Sequence, residues 1–92
     1  MHETGIVRDL IRKLDALARE SGAATISGVV IRLGALSGFS PEHFRIHFDE
    51  DAKGTRAAHA ALTILLSEDA ADPHAQDVMI ESVDLDVPDG KG

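Results

Sequence analysis

The chain has no cysteine, no tryptophan and no tyrosine, and only three prolines in 92 residues. Without cysteine there is no disulfide framework, no thiolate metal site and no thiol nucleophile. Three Phe are the only aromatics, so the core must be aliphatic. Positive charge is scarce: nine Lys and Arg stand against sixteen Asp and Glu, for a net charge of −7. Such a surface argues against nucleic acid, whose phosphates need a basic partner, and against an anionic membrane. No apolar run approaches the roughly 20 residues that a transmembrane helix requires. Met1-His2-Glu3-Thr4-Gly5 carries neither the basic nor the apolar stretch of a secretory signal. The expectation is a soluble, cytoplasmic chain with one domain over 1–92, since 43% hydrophobic residues suffice for a small core.

Ile6, Val7, Leu10, Ile11, Leu14, Leu17 and Ala18 recur at three- and four-residue steps. That spacing predicts an amphipathic helix over 4–21, with Arg8, Asp9, Arg12, Lys13 and Asp15 on the solvent side. Thr4 suits its N-cap and Gly22 its stop. Thr25 to Leu33 is rich in β-branched residues and reads as a half-buried strand, with Val29, Ile31 and Leu33 inward. Phe39-Ser40-Pro41-Glu42 opens a second helix over 41–53. Ser40 supplies the cap oxygen, Pro41 takes the first helical position, and Phe39 and Phe44 are spaced as a hydrophobic staple. Phe44 and Phe48 are expected to anchor that helix, and Gly54 to end it.

Leu62 to Leu66 reads as a buried strand, and 68–77 as a polar loop. Val78 to Val87 returns as a strand whose pattern changes phase, because Val78 and Ile80 have one parity and Val83, Leu85 and Val87 the other. One extra residue near Ser82, a β-bulge, reconciles them. Pro88 onward, 88–92, is expected to be a flexible tail. The order α-β-α-β-β predicts an α/β (α+β) fold, a three-stranded sheet with two helices packed on it. Strands one and two suit a crossover through the second helix, and strands two and three an antiparallel pair.

Catalytic patterns are absent. The chain has no phosphate-binding G-x-x-x-x-G-K-[ST] loop and no dinucleotide fingerprint. Ser37 and Ser40 have no His-Asp constellation nearby in sequence, and Asp49-Glu50-Asp51 reads as a solvated face. The expectation is therefore no enzyme, with no catalytic residues. His43 and His47, four apart on the second helix, have the spacing of two ligands on one divalent metal. Position 44 is Phe where a zinc protease carries its catalytic Glu, so a plain surface pair is the competing reading.

His2 is more distinctive. A His directly after the N-terminal residue can offer imidazole nitrogen together with the α-amine and the intervening amide, in five- and six-membered chelate rings. Such a planar nitrogen set suits Ni(II) or Cu(II) and suits Zn(II) poorly. The alternative is a solvated His on an unstructured terminus.

Met1-His2-Glu3, the amphipathic helix, and Val29-Val30-Ile31-Arg32-Leu33-Gly34-Ala35-Leu36-Ser37-Gly38 together resemble the hydrogenase-maturation nickel metallochaperone family (HypA/HybF). Pro41-Glu42, Phe44-Arg45, Phe48, Gly54-Thr55, Leu62 and the closing strand Val78 to Asp86 extend the resemblance over about 1–66 and 76–87. It implies Ni(II) held by His2, by Met1 through its terminal amine and by nearby amides, with Glu3 in the ligand shell and at a partner contact. It also implies delivery toward NiFe-hydrogenase or urease, with a maturation GTPase and the apo-metalloenzyme as partners. The sequence departs from the family in one large respect. The resemblance implies a zinc domain with two Cys-x-x-Cys pairs between the last two strands, whereas only Glu68 to Asp77 stands there, so no zinc is expected. The family's acidic and polar residues after Gly54-Thr55 are also replaced, by Ala57-Ala58-His59-Ala60-Ala61. A nickel-binding accessory protein is the first reading. The alternative is a zinc-domain-less paralogue serving as a protein-interaction module, with nickel delivery weakened or lost.

Overall fold

A computed structural model describes residues 3–88, in the order α1 (Glu3–Glu20), β1 (Thr25–Leu33), α2 (Pro41–Ala52), β2 (Ala61–Leu66) and β3 (Val78–Asp86). In α1 the apolar stripe of Val7, Leu10, Ile11, Leu14 and Ala18 is buried. Two residues depart from the expected faces. Leu17 is 43% exposed at the edge of the stripe. Asp15 is not free in solvent, because its Oδ1 accepts the backbone N–H of Arg56 at 2.9 Å. The helix starts at Glu3, so Thr4 lies within it rather than capping it. It ends in a Schellman turn: Gly22 has φ 77°, its N–H donates to Arg19 O at 3.1 Å, and Ala23 N–H donates to Ala18 O at 2.8 Å.

The start of α2 matches its sequence signals closely. Ser40 Oγ accepts the N–H of His43 at 3.1 Å, and the Phe39 and Phe44 rings meet edge to face at 5.4 Å. Phe44 and Phe48 are fully enclosed, at 0% and 1% exposure. Burial of that kind contributes about 2–3 kcal/mol per ring, which holds a short helix whose isolated form would be marginal. The helix stops at Ala52, one residue before the expected end, where Lys53 turns to extended backbone and Gly54 follows with φ 80°.

The sheet order is β2-β1-β3. β1 pairs with β2 in parallel through α2, in an unbroken register from Gly28↔Ala61 to Leu33↔Leu66. β3 pairs antiparallel with β1, not with β2 as expected. The 67–77 connection explains the correction. Gly34 N–H donates to Asp77 O at 2.9 Å and Leu36 N–H to Ala75 O at 2.6 Å, so this segment passes beside 34–36 to the far side of β1. Gly34 is required there, since a Cβ would collide with the backbone of His74 and Ala75, His74 O lying 2.6 Å away.

The β3 bulge falls at Glu81, one residue from its expected place, between the pairs Val30↔Ser82 and Ile31↔Ile80. It brings Val78, Val83 and Leu85 to the same core. Val87 lies past the strand and is 52% exposed. A second, unexpected bulge at Ser27 shifts the register between Ile26 and Gly28, so Ile26 is buried with Val29, Ile31 and Leu33. Both helices cover this face. On β2, Leu62 is buried but Leu65 and Leu66 are 39% and 52% exposed, because an edge strand of a sheet covered on one face is only partly enclosed.

Candidate metal-binding end

The α1–β1 turn is tight, and the β1–α2–β2 unit is a parallel crossover, so both helices run opposite to β1. Their N-terminal ends therefore lie at the same end of the sheet. Contacts at the opposite end agree with this: Arg56, just after α2, bonds Asp15 in the later half of α1 and accepts the N–H of Ile26 at 2.8 Å through its carbonyl. The backbone N–H of Arg56 holds the Asp15 carboxyl below its ordinary value, against a smaller opposing effect of burial. The guanidinium of Arg56, 3.3 Å away, and the charge of Arg19 act in the same direction as that N–H.

Met1 and His2 lie outside the described residues, and Glu3 is the first residue of α1. His43 and His47 occupy successive turns of α2. Their ring centroids are 5.8 Å apart and the planes are inclined by 52°, so the expected juxtaposition is realised. His43 is exposed and His47 half-buried. Among the described residues no three His, Asp or Glu side chains form a metal-binding group. His59 is exposed in the turn before β2. His74 is bound within its own loop, with Nδ1 2.9 Å from Asp77 Oδ2.

Sequence reasoning missed one constellation. A groove of about 480 Å³ between α1 and the end of α2 is lined by Arg8, Arg12, Asp15, Arg19, Asp51 and Thr55 among others. Asp51, expected on a solvated face, is half-buried there, with Oδ2 enclosed and no hydrogen-bond partner among the described residues. The i, i+4, i+11 spacing of Arg8, Arg12 and Arg19 was the available signal for a shared face.

Two helices on a three-stranded sheet, with two imidazoles side by side on α2, define a small α+β domain. Comparison with known proteins gives the family. Residues 1–74 match the family described as "Hydrogenase/urease nickel incorporation, metallochaperone, hypA", and the chain belongs to that family. The hydrogenase maturation factor HypA of Chlorobium limicola is 42% identical over 64 residues, covering 70% of this chain and 55% of that protein. Its counterpart in Aquifex aeolicus is 37% identical over 62 residues, covering 67% and 54%. The chain thus spans about half the length of the curated relatives it matches. The solution structure of the Ni metallochaperone HypA from Helicobacter pylori superposes with a TM-score of 0.81 at 18% identity, over 96% of this chain and 100% of that one. That likeness shows the shared fold. No helix among the described residues is long and apolar enough to cross a membrane.

Proposed function

We propose that this chain is a nickel-binding accessory protein for maturation of NiFe-hydrogenase or urease, carrying Ni(II) as cargo and catalysing nothing itself. The observation that carries this reading is the family match over 1–74, which includes the Met1-His2-Glu3 opening. The amine of Met1, the amide and imidazole of His2, and a further donor near Glu3 make the planar nitrogen-rich set that Ni(II) favours. Glu3, the last residue of that opening, is the first of a helix anchored by Val7 and Leu10. A maturation GTPase and the recipient apo-enzyme are the partners that fit this role, in the cytoplasm. With no cysteine in the sequence, no thiolate-held structural zinc is assigned to it.

Ligation must displace protons from the amine and at least one amide, so uptake should strengthen as pH rises and release protons. The test is Ni(II) titration of untagged protein whose intact mass confirms Met1 as the first residue. Wild type should give the diamagnetic square-planar spectrum. His2→Ala, and wild type extended by a few residues before Met1, should both lose it. Retention of the same spectrum by the extended protein would exclude the terminal amine, and absence of any Ni(II) uptake would leave the interaction-module alternative.

A further inference from the structure

We propose that His43 and His47 form a second metal site, independent of the chain terminus, for divalent ions that favour imidazole nitrogen. Two imidazoles sharing one tetrahedral ion at about 2.0–2.1 Å per bond have ring centres roughly 5 Å apart. The observed ring-centroid separation of 5.8 Å is close to that spacing, with the planes inclined by 52°. Neither ring has a competing hydrogen bond or ion pair among the described residues; Ser40 engages the backbone N–H of His43, not its ring.

The support is rigid. Each His directly precedes a Phe that is almost wholly enclosed, Phe44 and Phe48, so the helix cannot roll and the two imidazoles project from one fixed flank. Because the spacing is set in advance, the second nitrogen binds intramolecularly once the first has bound, and chelation gains over a single His. With two protein ligands and no third His, Asp or Glu grouped with them among the described residues, water or a group from a docked partner completes the coordination. Such a site exchanges its ion readily. It lies at the end of the sheet where α1 begins with Glu3. Its geometry differs from a planar amine–amide–imidazole set, so Zn(II), which suits the planar set poorly, separates the two.

The experiment is Zn(II) titration in neutral buffer of protein carrying a short Gly-Ser extension before Met1, followed by the histidine ring resonances in nitrogen-correlated NMR spectra. His43 and His47 should shift together along one saturating curve, while His59 and His74 stay in place. His43→Gln and His47→Gln, each checked for unchanged circular dichroism, should each weaken binding at least tenfold, and Zn(II) should raise the melting temperature of the parent but of neither variant. Equal affinity in parent and single variants would show separate monodentate contacts and overturn the proposal. Saturation that moves His59 or His74 while leaving His43 and His47 unmoved would overturn it as well. Neither result depends on Ni(II) uptake at the terminus, so the two sites stand or fall separately.

Discussion

β2 and β3 flank the same central strand, yet they are held to it by different means. β2 pairs in parallel in unbroken register and is joined to β1 by α2, whose Phe44 and Phe48 are buried in the core. β3 pairs antiparallel across two bulges and reaches its place by a polar connection docked against 34–36. β2 carries no charged residue, whereas β3 carries Glu81, Asp84 and Asp86. One edge is positioned by a packed helix, and the other by backbone fit and register. Acidic side chains and the Glu81 bulge on β3 also make that edge a poor template for further strands, a protection that β2 lacks.

Phe48→Ala should strike the first arrangement hardest, lowering stability by about 3–5 kcal/mol in chemical denaturation, because it empties a site enclosed on all sides. A loss within about 0.5 kcal/mol, typical of surface changes, would show that α2 does not hold β2 through this ring. Deleting Glu81 attacks the other edge. Without the bulge, either Val78 or the Val83–Leu85 pair must turn to the open face, for a loss of about 2–3 kcal/mol, since these side chains are only half-buried. An unchanged midpoint would mean that β3 tolerates either register.

Gly34→Ala tests the docking of the connection. The new methyl must displace the backbone at His74 and Ala75, which should cost about 1–3 kcal/mol and speed hydrogen exchange at the Gly34 and Leu36 amides. Unaltered exchange there would separate β3 placement from this contact. The smallest effect is expected at Asp15→Asn, about 1 kcal/mol for a charge-assisted hydrogen bond. Its pH dependence has a definite sign. The folded-state value of Asp15 is lowered, so its stabilisation is complete above the unfolded value of about 3.9 and is lost as pH falls through the folded one. Wild type should therefore exceed the Asn variant at neutral pH, and the difference should vanish in strong acid. A difference that persists at low pH would assign the effect to packing.

The elements were legible because each carries its own local signal. The α2 cap and staple, the Schellman glycine and the β3 phase change all act over a few residues, and each lies within a residue of where those signals put it. The Ser27 bulge was less visible, although Gly28 inside a strand was a hint. Of the candidate site, the His43–His47 juxtaposition follows from helical spacing alone. Helix phase put Asp15 on the solvent side, whereas it is half-buried against Arg56, a partner 41 positions away and beyond any local pattern.

The sequence by itself determined which segments become helix or strand, which side of each is apolar, and the single phase change in β3. Periodicity and capping act within one element and need no neighbour. Only the tertiary structure decided that β3 joins β1 rather than β2, that Asp51 turns into a groove beside α1, and that both helices begin at one end of the sheet. Strand order depends on which edge the 67–77 connection can reach while its backbone groups find partners. Here the bonds to Gly34 and Leu36, and the absence of a side chain at Gly34, allow that connection to cross β1 and leave β3 on its far side.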